Sequence, residues 1–129
     1  MILVDTSIWV DHFRAADPLL DALLRTTQAL MHPCVLGELA LGGLRSADPK
    51  RQLLTGLPVA KVATPDDVLY FIINHNLSGK GIGYVDAHLL ASARISTNTT
   101  LWTRDMRLNA VAHSLGVAAP LAAPLAGLH

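Results

Sequence analysis

Short, wholly apolar runs alternate along the chain with longer stretches in which apolar residues recur at helical spacing. Met1 to Val4 is such a run, halted by Asp5-Thr6-Ser7. That is the pattern of a buried strand running into a helix N-terminus, with Ile8, Trp9, Val10 and Phe13 as early helix contacts. Asp17-Pro18 opens a second helix, and Leu19, Leu20, Leu23 and Leu24 line one of its faces. Ala29 to His32 is short enough for a strand. Val35 to Leu44 predicts a helix closed by Gly42-Gly43, Asp48 to Leu54 a shorter one, and Val59 to Val62 a third strand ended by Thr64-Pro65. Asp66 to Asn76 fits an amphipathic helix capped by Thr64, and Gly79 to Gly83 a glycine-rich loop. Tyr84 to Ile95 is the clearest helix. A strand around Thr100 to Thr103 follows, then a last helix from Asp105 to Leu115, ended by Gly116.

Alternation of this kind predicts an α/β fold, a mostly parallel sheet covered by helices on both faces. Ligands of such sheets bind beyond the carboxyl ends of the strands, where Asp5 and Asp105 both fall. Residues 1–118 are expected to form one domain and 119–129, an alternation of Pro, Leu and Ala, a loosely held tail.

Composition narrows the chemistry only in part. With 129 residues, half of them hydrophobic, the chain can bury one sizeable core. Ten basic and ten acidic side chains cancel, so bulk charge argues neither for nor against a nucleic-acid partner. Cys34 is the only cysteine, which excludes an internal disulfide and a cysteine-built zinc site. It lies among apolar residues and reads as an inert thiol. No apolar stretch reaches the length of a membrane span, and a cytoplasmic protein is expected.

The acidic residues carry more. Glu38, the only glutamate, has Cys34, Val35, Leu41 and Gly42 as its helical neighbours; Asp86 has Ile82, Gly83, Leu89 and Leu90. Both are therefore expected on apolar helix stripes, where a carboxylate is costly unless something compensates it. Arg45 is the only nearby cation on the Glu38 face, and none stands at helical spacing from Asp86. Clustered carboxylates repel unless a divalent cation neutralises them, and hard oxygen ligands favour Mg²⁺, with Mn²⁺ as a substitute. A site of this kind suits attack of water on a phosphodiester. Taken singly, each acid has a plainer reading. Asp5 and Asp105 would be N-caps, Asp86 a satisfied structural carboxylate, and Glu38 the partner of Arg45. The other aspartates (Asp11, Asp17, Asp21, Asp48, Asp66, Asp67) read as caps and solvated charge.

At these positions the chain resembles the PIN-domain family. Val4-Asp5-Thr6-Ser7-Ile8-Trp9-Val10 resembles the family's opening strand and turn, and Glu38 its second acidic position. Gly83-Tyr84-Val85-Asp86-Ala87-His88-Leu89-Leu90 is similar to the third acidic segment of the bacterial VapC toxins, and Leu101-Trp102-Thr103-Arg104-Asp105-Met106-Arg107-Leu108 to the fourth. The likeness runs from Met1 to about Val117 with all four motifs in order.

The resemblance implies a three-layer α/β/α fold and Mg²⁺-dependent cleavage of RNA, usually structured transfer or ribosomal RNA. It also implies a homodimer neutralised by a cognate antitoxin whose C-terminal segment lies over the active site. Carried over by position, Asp5, Glu38, Asp86 and Asp105 are the catalytic, metal-holding quartet, and Thr6, Ser7 and Thr103 its polar helpers. Asn109 occupies a further polar position, where a neutral amide is a weaker ligand than a carboxylate.

Lys80, Arg104, Arg107, Arg45 and Arg14 are candidate contacts for RNA phosphates. Trp9 and Trp102 are expected in packing rather than base stacking. His88 stands two residues from Asp86, on another side of the helix, and is not expected to share its ion. Gly79 to Gly83 lacks the Gly-Lys-Ser/Thr ending of a phosphate loop. Two other function classes compete. One is a non-catalytic RNA- or protein-binding module of the same fold. The other is an aspartate phospho-acceptor domain, disfavoured by Ser at position 7 and Arg at position 104.

Overall fold

A computed structural model describes residues 1–44 and 48–120. At its centre is β1 (Ile2–Val4), paired in parallel with β2 (Ala29–Leu30) on one side and β3 (Thr100–Trp102) on the other. Two single bridges widen the sheet, Met31 with Val59 beyond β2 and Leu101 with Ala118 beyond β3, both parallel. Ala118 and Ala119 are thereby pinned against the sheet; the remainder of the expected tail, 121–129, lies outside the described residues, as does Arg45.

Seven helices surround this sheet among the described residues: α1 (Thr6–Arg14), α2 (Pro18–Arg25), α3 (Pro33–Leu41), α4 (Pro49–Thr55), α5 (Pro65–Asn74), α6 (Tyr84–Ile95) and α7 (Met106–Ser114). The chain leaves β1 toward β2 and the Val59 edge, then returns across the sheet to β3 and Ala118. Right-handed crossovers consequently put α1–α4 on one face and α5–α7 on the other. Packing of α1 on α3 and of α5 on α6 agrees, as does the bond from the Arg94 guanidinium in α6 to the Leu115 carbonyl after α7, 2.7 Å; α3 also meets α6. The expected α/β/α layering is observed. Leu3, Val4, Ile8, Trp9, Leu89 and Leu101 are fully buried between the layers, and Trp102 nearly so; both tryptophans are core residues.

Helix starts follow capping chemistry. Asp17, Asp48 and Thr64 each accept a backbone N–H of the first turn, and proline stands at the start of α2, α3, α4 and α5. The cap of α3 is a histidine. Wholly buried, His32 accepts the Cys34 N–H at Nδ1, 3.0 Å, and its Nε2 lies 3.0 Å from Ser92 Oγ on α6. A ring that accepts at Nδ1 while neutral carries its proton on Nε2, so it donates to Ser92. This contact ties α3, which carries Glu38, to α6, which carries Asp86.

That cap also cuts short the expected third strand. Val59 to Val62 is not a strand but a single bridge. The backbone turns into α3 at His32, so only Met31 remains beside the edge. Val59 and Val62 are exposed there while Ala60 alone is buried.

Burial, with the neighbouring His88 as a lesser cause, lowers the His32 pKa from 6.5 to about 4. The unfolded chain therefore takes up this proton first. His32 stabilises the fold fully above pH 6.5, and that contribution is lost as pH falls from 6.5 toward 4. The loss amounts to roughly 3 kcal/mol. Urea unfolding of the parent and of His32→Asn at several pH values should show the gap between them narrowing across this window. A gap constant from pH 7 to pH 4 would contradict the assignment.

Candidate active site

Asp5 follows the last residue of β1 and Asp105 lies just beyond β3, so the parallel register of Val4 with Trp102 brings both to one edge of the sheet. Asp5 is 7% exposed. Although it stands at the N-cap position of α1, its carboxylate makes no cap bond. Its Oδ2 instead accepts the Ser7 hydroxyl at 2.8 Å and the Thr103 hydroxyl at 2.7 Å. Thr103 in turn accepts the Asp105 N–H at 3.1 Å, and Ser7 the Arg104 N–H at 3.1 Å. These hydroxyls lock the strand ends together. Asp105 is a true cap, its Oδ1 accepting from Arg107 N and Leu108 N at 2.9 and 3.0 Å.

The other two acids arrive from helices. Asp86 is half-buried in the first turn of α6, where its Oδ2 accepts the Gly83 N–H at 3.0 Å. Glu38 accepts the Thr6 hydroxyl at Oε1, 2.7 Å, which draws α3 toward α1. Glu38 is exposed, contrary to the core-facing stripe expected for it, and its neighbour Leu41 is 91% exposed. The apolar run of α3 is therefore only partly core, and the excess apolar surface faces solvent.

Burial raises the Asp86 pKa; the Gly83 N–H bond opposes this, and the charges of Asp5, Asp105 and Glu38 add to it. All four acids thus act on one electrostatic neighbourhood. None of them is ion-paired among the described residues. Each uses a single oxygen in hydrogen bonds to the protein and leaves the other without a protein partner among those residues.

Such a donor set fits a hard divalent cation: oxygen only, uncompensated, and oriented by hydroxyl and amide donors. No three carboxylate, histidine or cysteine side chains stand close enough together to hold an ion among the described residues.

The remaining candidates divide. Arg104 is drawn away into ion pairs with Asp11 and Asp17, bracing α7's start against α1 and α2. Lys80 and Arg107 line a cleft of about 340 Å³ that none of the four acids lines. Asn109 sits one turn beyond Asp105, half-buried. His88 is buried with its ring against Tyr84, and its Nδ1 has no partner among the described residues. Sequence reasoning missed the capping role of His32 and the Gly83 amide on Asp86. Only Pro33, a first-turn proline that demands a cap before it, signalled the former.

Residues 2–114 match the PIN domain family. Two proteins of Mycobacterium tuberculosis, from strains CDC 1551 / Oshkosh and ATCC 25618 / H37Rv and both named Ribonuclease VapC32, are each 47% identical over 118 residues. The match covers 92% of this chain and 95% of theirs. Among solved structures, FitAcB from Neisseria gonorrhoeae superposes with a TM-score of 0.56 at 21% identity, covering 92% of this chain and 95% of that one. PAE2754 from Pyrobaculum aerophilum does so with a TM-score of 0.55 at 18% identity, over 84% and 82%. The latter two likenesses support the fold.

Because the Asp86 pKa is raised in the folded protein, its ionisation costs stability as pH rises through that value. In EDTA at neutral pH, Asp86→Asn should melt above the parent, since the amide keeps an acceptor for Gly83 and removes a repelled charge. Millimolar Mg²⁺ should raise the parent's Tm and narrow or reverse that order. A variant less stable than the parent in EDTA would contradict the electrostatic reading.

Proposed function

The chain belongs to the PIN-domain family, and from that premise we propose that it is an endoribonuclease, the toxin of a toxin–antitoxin pair. The catalytic reading rests on Asp5, Asp105 and Glu38 each raising the Asp86 pKa, with none of the four ion-paired among the described residues. Asp5, Glu38, Asp86 and Asp105 would hold a divalent cation, Mg²⁺ with Mn²⁺ as substitute, which would supply activation of water and charge stabilisation on the phosphate. Every other part is the protein's own.

Ser7 and Thr103 hold the Asp5 carboxylate from one side and leave its second oxygen for the ion. Asp105 is fixed by the first turn of α7, and Asp86 by the Gly83 amide. Thr6 steers Glu38, the longest of the four and exposed like Asp105, toward the same edge. In this reading the carboxylates orient water in line with the scissile phosphorus. The water oxygen bonds to phosphorus as the bond to the leaving ribose oxygen breaks.

RNA is the substrate by likeness to the ribonucleases named above, and structured transfer or ribosomal RNA is the proposed class. A groove of about 300 Å³ between α1 and α3, lined in part by Val10, Phe13, Leu39, Leu44 and Glu38, suits an antitoxin segment. Such a segment would carry apolar side chains and a cation reaching Glu38. Residues 1–118 are taken as the nuclease domain, working as a homodimer in the cytoplasm. No helix among the described residues is long and apolar enough to cross a membrane.

Purified protein should cut bulk transfer or ribosomal RNA into discrete products with Mg²⁺ and not with EDTA. Asp86→Asn should abolish cutting. Thr103→Val should retain the fold and lose roughly 10- to 100-fold in Mg²⁺-supported rate, the usual cost of removing a group that orients a metal ligand. No cleavage by antitoxin-free protein, with metal binding intact, would favour a non-catalytic binding module instead.

A further inference from the structure

One cleft beside the acids has a composition that the quartet does not explain. It lies between the loop after α5 and the flank of α7, and its lining includes His75, Lys80, Arg107 and Ser114 but no carboxylate. The loop ends at Gly83, whose N–H bonds Asp86, and the Arg107 N–H bonds Asp105 Oδ1, so two of the cleft's lining residues stand within a few residues of two of the acids. Neither Lys80 nor Arg107 is ion-paired among the described residues.

Arg107 is nonetheless seated. Gly81, at φ +77°, lies directly under its side chain: a Cβ there would come within 2.6 Å of Arg107 Cδ and 3.0 Å of its Nη1. The backbone at Gly81 is in the left-handed region, which favours glycine, and the missing side chain is the space the arginine occupies. An exposed arginine packed over that glycine, with no carboxylate paired to it among the described residues, is a cation open to a partner from outside. Arg104 makes the contrast, since its guanidinium is spent on Asp11 and Asp17.

We propose that Lys80 and Arg107 form a phosphate subsite that holds the RNA backbone next to the scissile phosphate. The proposal rests on the ribonuclease reading and deepens it. A polyanion approaching four carboxylates is repelled, and ions at the scissile phosphate do not neutralise the phosphates on either side. Arg107 presents a planar, permanently charged fork suited to phosphate oxygens, and Lys80 adds a mobile point charge from the loop. The cleft runs along α7 from Arg107 to Ser114, away from Asp105, which gives the strand a direction out of the site.

The test is RNA binding at fixed Mg²⁺ by the full chain made inert with Asp86→Asn, using labelled bulk transfer RNA over a range of NaCl concentrations. Adding Lys80→Gln and Arg107→Gln should weaken binding roughly tenfold or more. It should also make the slope of log affinity against log salt shallower by about 0.7 to 0.9 for each lost contact. Gly81→Ala, which keeps both charges but removes the seat, should weaken binding in the same direction. Arg25→Gln with Lys61→Gln, both remote from the site, should leave affinity and slope at the parent's values. Unchanged affinity and slope in the Lys80/Arg107 variant would overturn this subsite and leave the nuclease reading standing. An inert parent that binds no RNA, in a preparation whose active form cuts none, would overturn both.

Discussion

Four like charges gathered at one edge of a sheet repel one another, and much of the surrounding structure resists that repulsion. The chain is neutral as a whole, yet none of its described cations is ion-paired with Asp5, Glu38, Asp86 or Asp105. What holds the acids is a set of neutral donors: three hydroxyls and the backbone amides of Gly83, Arg107 and Leu108. Neutral donors orient a carboxylate without discharging it. The negative potential is thereby kept for a ligand, which a salt-bridged site would have cancelled.

The same contacts are also the joints of the fold. Thr103 joins Asp5 after β1 to Asp105 after β3, and Ser7 repeats the link one residue along. Thr6 joins α1 to α3 through Glu38. On the far side His32 joins α3 to α6 through Ser92, within the buried layer. Strand register sets two of the acids, and these helix contacts set the other two. Acid sensitivity at His32 and charge repulsion at Asp86 are thus consequences of one arrangement, and they pull stability in opposite directions as pH changes.

How much of this is legible in the sequence depends on range. β1 and α6 are written locally, as an apolar run stopped by Asp5 and as an uninterrupted helical stretch from Tyr84 to Ile95, and both are found as expected. The bridge at Val59 is not, because its length is fixed by where the partner strand turns away at His32, a fact stored elsewhere in the chain. Among the acids, position was readable and environment was not. Asp5 and Asp105 share the sequence pattern of a cap, yet only Asp105 caps, since Thr103 and Ser7 capture the other. Glu38 reads as core-facing from its apolar neighbours, but part of that apolar surface is left open to solvent. The seat of Arg107 over Gly81 joins residues far apart in the chain, and no local pattern announces it.

The proposed function requires the four carboxylates to form one metal-binding centre. The most direct measurement is an anomalous difference map from crystals of the full chain soaked in Mn²⁺. The account predicts a peak at the sheet edge, ligated by at least one unbonded carboxylate oxygen of Asp5, Asp86, Asp105 or Glu38, with the others in reach through water. A Mn²⁺ peak found only elsewhere, with the four carboxylates unliganded at saturating ion, would contradict it.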